Sequence, residues 1–349
     1  MFPGSGVAST ARVVAAPRVS VLMPVRDAAA TLPEALASLR RQTLADHELL
    51  AIDDGSSDGS AELLDAAARE DPRQRVRHTP PRGLVAALNH GLGLARGGVV
   101  ARMDADDVAH PDRLLLQAAR LEADSAVDVL GSRVELVAPP GLSNQGMRGY
   151  VAWQNGLLDH AAIVADLFVE SPLVHPSVAM RRRSLLALGG YHDTGGPEDY
   201  DLWLRAHARG LRFGKCAETL LAWRDSPHRL TRCDPRYAAA RFLECKCAAL
   251  LEGPLADRAP VVVWGAGRIG KAWARRLRVA GRPAAAHVEV DAAKIGNRVH
   301  GVPVVGIEAA ARFRGAWQLA AVGQPGARSR IRRAAEELGL PGWRVIAVA

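Results

Sequence analysis

The chain is predicted to be an α/β protein, with a doubly wound, mostly parallel sheet in its N-terminal part and a smaller α/β domain at its C-terminal end. Short apolar and β-branched runs alternate with segments of helical periodicity over residues 19–103, and the same alternation starts again near residue 259. Acid-rich or glycine-rich turns directly follow several of the apolar runs. Ligands of doubly wound sheets bind beyond the carboxyl ends of strands, so these turns are candidate sites.

The N-terminal elements follow one another at the spacing of strand–helix units. An apolar run at residues 19–25 predicts the first strand, and Pro33 stands where the first turn of a helix over residues 31–41 tolerates it. The other predicted elements are a strand at 48–52, helices at 60–70 and 84–95, strands at 99–103 and 127–131, a mobile loop at 141–149, a strand at 176–180, and helices at 184–188 and 200–209.

The remaining sequence indicates a linker followed by a second unit. An alanine-rich helix over residues 237–251 ends at Gly253 and Pro254, as expected of a connector. The further elements of the second unit are predicted at 284–290, 307–313, 318–322, 328–338 and 343–348. We therefore expect four parts: a flexible tail at 1–17, a sheet domain at 18–230, a helical connector at 231–258 and a smaller α/β domain at 259–349.

The composition is that of a folded, soluble protein. A chain of 349 residues exceeds the usual size of one core, and a hydrophobic content of 48% is enough to fill two. Its apolar runs fall short of the roughly 20 residues of a membrane span, and residues 1–17 lack the pattern of a signal peptide. We expect a cytoplasmic location, and leave open both attachment to a membrane surface and assembly into a homo-oligomer.

The net charge and the cysteines exclude two further classes of function. The formal charge is +8, but the arginines are scattered and not clustered into a basic stripe with aromatic residues, so we expect no nucleic-acid partner. The four cysteines are Cys216, Cys233, Cys245 and Cys247. Their spacing is not that of a metal site, so we interpret them as reduced, structural thiols.

The strongest signal for chemistry is a group of three carboxylates. Asp104, Asp106 and Asp107 directly follow the strand predicted at 99–103. Carboxylates this close repel one another unless a positive charge lies among them, and a hard divalent cation is the usual one. On an extended backbone Asp104 and Asp106 would point to the same side, where both could face a metal.

A second acid-rich turn, DDGSSDG at residues 53–59, follows the strand predicted at 48–52. Its spacing partly matches a calcium loop of the EF-hand type, although such a loop follows a helix and not a short strand. It could also be a solvated turn in which Ser60 caps the next helix. The functional interpretation is that Asp53 or Asp54 accepts a hydrogen bond from the base or ribose of a nucleotide.

Four sequence blocks resemble the family 2 glycosyltransferases. They are SVLMPVRD at 20–27, IDDGSSDG at 52–59, ARMDADD at 101–107 and PEDYDLW at 197–203. They occur in the order of that family and extend over roughly residues 18–230. The resemblance implies a GT-A fold and the inverting transfer of a sugar from a nucleoside-diphosphate donor, UDP-linked by preference, to a hydroxyl of a saccharide or glycoconjugate acceptor in polysaccharide or glycoconjugate biosynthesis.

The resemblance also implies roles for single residues. The residues that would line the base, ribose and phosphate pocket are Pro24, Val25, Asp53, Asp54 and Arg82. Asp104 would contact the ribose or the metal, and Asp106 would bind Mg²⁺ or Mn²⁺. His228 lies where some members of the family place a histidine near the metal or the diphosphate.

Asp199 would be the general base, with Glu198 beside it. A sugar hydroxyl is a weak nucleophile, so its attack requires a carboxylate within hydrogen-bond reach to take the proton. The pair follows a glycine-rich segment at 193–197 and opens the helix predicted at 200–209. In the alternative interpretation, both are first-turn acids that the helix dipole favours.

The C-terminal unit opens with VVVWGAGRIG at residues 261–270, an apolar strand that leads into Gly265, Gly267 and Gly270. Glu289 and Asp291 lie at the end of the next predicted strand. A strand, a Gly-x-Gly-x-x-Gly turn, a helix and an acid after the second strand are the pattern of a dinucleotide-binding fold. Gly265, Gly267, Gly270 and Asp291 are therefore candidate nucleotide-binding residues.

The same unit resembles the Rossmann-like nucleotide-binding half-domain that precedes some bacterial sugar acyltransferases. The matching segments are DAAKIG at 291–296 and HGVPV at 300–304. Two roles stay open: a structural or oligomerisation role, and a site for a second nucleotide or sugar nucleotide. Two alternative functions for the whole chain follow, an NAD(P)-dependent oxidoreductase and a non-catalytic sensor, both acting on sugar nucleotides.

Overall fold

The computed structural model describes residues 16–139, 142, 145–227 and 229–349, which form two sheets with helices around them. The larger sheet has the strand order β3-β2-β1-β4-β7-β6-β8-β5. Its strands are β1 (Val19–Val25), β2 (His47–Asp53), β3 (Gln74–His78), β4 (Val99–Arg102), β5 (Val108–Ala109), β6 (Val127–Val137), β7 (Ala179–Arg181) and β8 (Arg212–Arg224).

Strands β1 to β4 are parallel and positioned by their apolar side chains. β2 is buried along its whole length and β1 along nearly all of it, as expected of parallel strands with both faces covered. In register, Val21 lies between Leu49 of β2 and Ala101 of β4. The chain adds β2 and β3 on one side of β1 and β4 on the other, so the order reverses between β1 and β4. Such a reversal opens a crevice at the carboxyl ends of the strands.

Twelve α-helices are present among the described residues. They are α1 (Leu32–Arg40), α2 (Ser60–Glu70), α3 (Leu84–Leu94), α4 (Arg113–Ala123), α5 (Gln145–Gly156), α6 (His160–Asp166), α7 (Arg182–Ala187), α8 (Glu198–Ala208), α9 (Leu230–Cys233), α10 (Ala239–Glu252), α11 (Arg268–Val279) and α12 (Ala327–Glu337). Within this part of the chain, no helix is long and apolar enough to cross a membrane.

The smaller sheet lies in the C-terminal region. Its strands are β9 (Val261–Trp264), β10 (Ala286–Val288), β11 (Arg298–Val299), β12 (Val302–Val305), β13 (Trp317–Ala320) and β14 (Val345–Ala347). They are ordered β11-β12-β10-β9-β13-β14, and all pairs except β11–β12 are parallel. The predicted class, a mostly parallel α/β sheet with a second, smaller one, is confirmed.

Several local predictions are wrong. The loop predicted at 141–149 becomes helix α5 from Gln145 onward, and the strand predicted at 176–180 begins only at Ala179, because residues 175–177 form a 3-10 turn. β8, the longest strand, was not predicted at all. The predicted tail at 1–17 lies almost entirely outside the described residues, as does part of the predicted loop.

The predicted connector is part of the hydrophobic core. α10 packs against α8 on one side and against α11 on the other. Trp203 of α8, Leu250 of α10 and Trp273 of α11 are fully buried and belong to one continuous apolar cluster, which also includes Leu22 of the larger sheet and Val263 of the smaller one. The two sheets therefore share a core.

Candidate active site

A cleft of about 910 Å³ lies at the carboxyl ends of β1, β2 and β4. The three strands reach it through Pro24 and Val25, through Asp54, and through Asp104 and Asp106, respectively. The cleft therefore occupies the crevice that the strand order opens. It brings together residues that lie far apart in the sequence, including Asp199 of α8.

The three carboxylates after β4 are gathered by a tight turn. Asp107 N donates to Asp104 O at 3.4 Å, so the backbone is not extended here, contrary to the prediction for Asp104 and Asp106. Oxygens of Asp104, Asp106 and Asp107 lie within 4.8 Å of one another. Burial and the charge of Asp104 raise the pKa of Asp106 to about 6, and the same causes raise the pKa of Asp107 well above its usual value.

This carboxylate turn fits a divalent cation. Its donors are all carboxylate oxygens, the ligands that Mg²⁺ and Mn²⁺ prefer. Asp107 accepts a hydrogen bond from Arg224 N at 2.8 Å through Oδ1, whereas its buried Oδ2 has no hydrogen-bond partner within the part of the chain that is described. Buried acceptors are normally satisfied, so the open oxygen and the raised pKa values both indicate a missing positive charge.

Two buried arginines fix this turn and the end of β4 through an ion pair and hydrogen bonds. Arg102 pairs with Asp104, with Nη2 at 2.7 Å from Oδ1, and also donates to Met103 O. Arg113 of α4 donates to Arg102 O at 2.6 Å and to Gln117 Oε1 at 3.1 Å. Both guanidinium groups are almost completely buried. The end of β4 is therefore fixed by contacts that single-residue motifs do not reveal.

The two acids after β2 have different positions. Asp54 lines the cleft, and its oxygens accept hydrogen bonds from Arg82 N at 2.7 Å and Gly83 N at 2.8 Å. Asp53 instead accepts from Ser56 N at 3.0 Å and contacts His78 Nδ1 at 2.9 Å. Among the described residues that line the cleft, neither Asp53 nor Arg82 is present. The contact of Asp53 and Arg82 with a nucleotide stays a prediction.

Glu198 and Asp199 open α8 and also line the cleft, and their carboxyl groups have different partners. Glu198 is buried, with Tyr237 OH at 2.6 Å and His175 Nδ1 at 3.4 Å. Burial alone would raise the pKa of Glu198, but these two contacts hold it below its usual value. Burial and the charge of Glu198 raise the pKa of Asp199 to about 8.

The predicted connector supplies part of the cleft wall. Asp234, Arg236, Tyr237 and Phe242 line it, although they lie beyond the four sequence blocks at residues 20–203. Arg236 is held by Asp234, with Nη2 at 2.6 Å from Oδ2. The Tyr237 contact with Glu198 joins this segment directly to α8. The sequence carries no signal for these residues, because they reach the cleft only through contacts between distant segments.

An arginine lies near the acids on the β8 side. The Arg229 guanidinium lies 3.7 Å from the centre of the Trp223 ring, and both residues line the cleft. Its charge lowers the pKa of Asp106 and so partly opposes the effect of burial. Arg232 instead pairs with the buried Asp225 at 2.8 Å. His228, a predicted ligand, lies outside the described residues.

A second cavity, of about 810 Å³, lies in the C-terminal region. Gly265, Gly267 and Asp291 line it, together with Glu289. Gly270 serves packing: a Cβ atom there would lie 1.9 Å from Gly265 O, so the third glycine allows α11 to approach the turn after β9.

Comparisons with known proteins agree with the motifs. The family model described as "Glycosyl transferase family 2" matches residues 20–189. The putative glycosyltransferase EpsE of Bacillus subtilis (strain 168) is 30% identical over 247 residues, which are 69% of this chain and 85% of that protein. The Escherichia coli UDP-Gal:alpha-D-GlcNAc-diphosphoundecaprenol beta-1,3-galactosyltransferase is 30% identical over 60% of this chain and 75% of its own length.

A solved structure shows the same fold at low sequence identity. The crystal structure of S. aureus TarS 1–349 in complex with UDP-GlcNAc superposes with a TM-score of 0.56 at 16% identity. The match covers 74% of this chain and 71% of that one. The larger sheet is therefore of the GT-A type.

Proposed function

Because the chain belongs to glycosyl transferase family 2, we propose that it is a metal-dependent, inverting glycosyltransferase that moves a sugar from a nucleoside-diphosphate donor to an acceptor hydroxyl. The observation that carries this proposal is the shared cleft, which is lined by both the carboxylate turn after β4 and Asp199 of α8. The carboxylate turn can hold the leaving diphosphate through a cation, and Asp199 can take a proton. The family assignment favours a transferase over an oxidoreductase or a sensor.

The carboxylate turn is proposed to hold Mg²⁺ or Mn²⁺ through Asp104, Asp106 and Asp107. When bound, such a cation stabilises the negative charge that develops on the departing diphosphate. Arg229 lies on the same side of the cleft with its guanidinium fixed over Trp223. It can therefore contact the phosphates with little further loss of side-chain conformational entropy.

Asp199 is proposed as the general base. The acceptor oxygen forms a bond to the anomeric carbon as the bond from that carbon to the phosphate oxygen breaks, and the hydroxyl proton passes to an Asp199 carboxylate oxygen. Attack opposite to the leaving group inverts the configuration at the anomeric carbon. The raised pKa suits a base that acts near neutral pH. Glu198, held by His175 and Tyr237, acts as a positioning residue.

The nucleoside is proposed to lie against the ends of β1 and β2. Pro24 and Val25 offer an apolar surface, and Asp54 holds the backbone of Arg82 and Gly83 that closes this wall. Asp53 supports the same turn from behind. We propose a UDP-linked donor, since the E. coli relative is named for UDP-Gal. A saccharide or glycoconjugate is the proposed acceptor, and the transfer needs no second nucleotide in the C-terminal region.

Asp106→Ala tests the role of the carboxylate turn. Thermal-shift titration of the full chain with UDP-, GDP- and dTDP-linked sugars, with and without Mn²⁺, should give a manganese-dependent rise in melting temperature with at least one donor, since a ligand of the native state stabilises it. The variant should lose that rise. Asp112→Asn, at an exposed acid outside the cleft, should keep it. A chain that neither binds nor cleaves any of these donors would contradict the proposal.

Asp199→Asn separates binding from transfer. The variant should bind the donor as the wild type does but release nucleoside diphosphate about 10²–10⁴ times more slowly, the usual contribution of a general base. Asp201→Asn is the matched control, because Asp201 lies on the same helix but pairs with Arg205 at 2.7 Å. Normal turnover by Asp199→Asn would show that another group accepts the proton.

A further inference from the structure

We propose that the C-terminal cavity is a second nucleotide site, separate from the donor cleft, and that it takes a nucleoside diphosphate whose ribose carries an unmodified 2′-hydroxyl. The cavity has about 810 Å³, room for such a ligand, and is lined only by described residues from the region 264–334. Transfer chemistry in the larger cleft does not use it. The inference therefore goes beyond the proposed transferase activity.

The position of the cavity in the smaller sheet is the first argument. β10 and β12 lie on one side of β9, and β13 and β14 lie on the other. This is the order of the first five strands of a dinucleotide-binding sheet, and the chain reverses between β9 and β13. The cavity is lined by residues that directly follow the carboxyl ends of β9, β10 and β13. It therefore lies at the reversal point, where open α/β sheets bind their ligands.

The turn between β9 and α11 leaves space where a phosphate would lie. Gly265 has φ +105°, a conformation that favours glycine, and its Cβ position is blocked by Val322 at 2.8 Å. Gly267 has an ordinary φ of −83°, and a Cβ atom there would have no neighbour within 4 Å. Nothing in the local fold requires glycine at 267. The absent side chain instead leaves the backbone open to the cavity.

A carboxylate is held in a fixed position directly after the second strand of the smaller sheet. In nucleotide-binding folds of this pattern, an acid at that point in the chain recognises the ribose. Glu289 directly follows β10, and only 12% of its side chain is exposed. Its Oε2 accepts from Ala266 N at 3.0 Å and its Oε1 accepts from Val290 N at 3.0 Å. Oε1 also accepts from Asp291 N at 3.5 Å, so the second lone pair of Oε2 is the rigidly held acceptor that remains for a sugar hydroxyl. The same negative charge would repel a 2′-phosphate.

The charges and apolar side chains around Glu289 fit the rest of such a ligand. Arg268, Lys294 and Arg330 line the cavity, against the acids Glu289 and Asp291. Lys294 is occupied by these acids, at 3.1 Å from Asp291 and 3.6 Å from Glu289. The two arginines therefore provide the positive charge for phosphates. Val288, Val290 and Ile307 offer an apolar surface for a base.

The test uses the full chain in the Asp106→Ala background with EDTA, which removes the metal-dependent binding proposed for the donor cleft, and Gly267→Val then assigns the remaining binding to the C-terminal cavity. Calorimetric titration with ADP and with UDP should show saturable binding of at least one of them, at one site per chain. Gly267→Val places a side chain in the open space and should weaken that binding at least about tenfold. Gly315→Val is the control, because its Cβ also meets no atom within 4 Å but Gly315 does not line the cavity.

Two further titrations test the ribose assignment. The 2′-deoxy form of the bound nucleotide should bind about tenfold more weakly than the ribonucleotide, and Glu289→Gln should reduce this difference. The proposal is overturned if neither nucleotide binds, or if Gly267→Val binds as tightly as its parent. Equal binding of the 2′-deoxy form would overturn the role of Glu289. None of these results depends on transferase activity, so the two proposals fail independently.

Discussion

Asp199 and Glu198 are neighbours in the sequence, but the pKa values of their carboxyl groups are shifted in opposite directions. Burial and the adjacent negative charge raise the pKa of Asp199 to about 8. Glu198 stays ionised because Tyr237 and His175 offset the cost of its burial. Two acids whose environments move their pKa values apart are a common basis for assigning proton transfer. Here burial and, after it, the charge of the ionised neighbour make Asp199 the stronger base.

The pH dependence of turnover follows from this difference. A base must be deprotonated to accept a proton, so a raised pKa moves activity to higher pH. We expect kcat, measured as nucleoside-diphosphate release at saturating donor and Mn²⁺, to rise through about pH 8 and then level off. Saturation matters because protonation of Asp106, with its pKa raised to about 6, would weaken cation binding at low pH. A kcat that falls between pH 7 and 8 would contradict the assignment.

At single residues, the sequence predicts the acids of the cleft better than their surroundings. Asp104, Asp106 and Asp199 could be identified because carboxylates at strand and helix ends carry a recognisable pattern. Asp53 shows the limit of that pattern: two adjacent acids follow β2, but only the structure reveals that Asp53 contacts Ser56 and His78 whereas Asp54 lines the cleft. The local spacing of residues in the sequence does not predict contacts between distant segments.

Among the elements, the least predictable are those without a simple period. β8 pairs with β6 through register shifts near Ser132 and Arg133, and its burial pattern includes three consecutive exposed residues. Alternation of apolar and polar residues is lost at such irregularities. α5 has two buried positions, Val151 and Gln154, so its apolar face is weak. β1, β2 and β4, with continuous apolar runs, were predictable for the opposite reason, whereas β3, with the sequence QRVRH, was not predicted.

The segment between the sheets should affect catalysis through Tyr237. Tyr237→Phe removes the hydrogen bond to Glu198, and a loss of about 1 kcal/mol in the transition state would lower kcat roughly fivefold. We expect KM for the donor to change little, since we propose that the donor binds at the strand ends. Initial rates over a range of donor concentrations measure both quantities.

Tyr200→Phe is the matched control for that variant. Tyr200 OH donates to Leu167 O at 2.7 Å in the core, outside the cleft wall. Its loss should lower the melting temperature and leave kcat near the wild-type value. If Tyr237→Phe changed only the melting temperature, the contact with Glu198 would be structural and not part of the catalytic arrangement.

On the scale of the whole molecule, one cluster of buried apolar side chains joins the two sheets. The cluster that contains Leu250 extends from Leu22 to Val263. The sequence predicted two sheets and a helix between them, but not that this helix would be covered on both sides. Packing between distant elements depends on shape, which hydrophobic periodicity does not specify.

Leu250→Ala should therefore destabilise the entire chain. Truncating a fully buried leucine costs about 2–5 kcal/mol, and the shared cluster should transmit this loss to a single unfolding transition at lower temperature. Differential scanning calorimetry measures both the position and the number of transitions. Leu186→Ala, at a side chain that is 44% exposed, should shift the melting temperature far less. Two separate transitions, of which one moves, would show that the sheets unfold independently.

The pairing of Arg102 with Asp104 has a consequence for the enzyme between turnovers. A guanidinium does not lose its proton under physiological conditions, so Arg102 gives the carboxylates after β4 a permanent counter-charge even without the cation that we propose. The conformation of the carboxylate turn therefore does not have to form again in each catalytic cycle. Chelation should leave a folded protein that regains full activity as soon as manganese is returned.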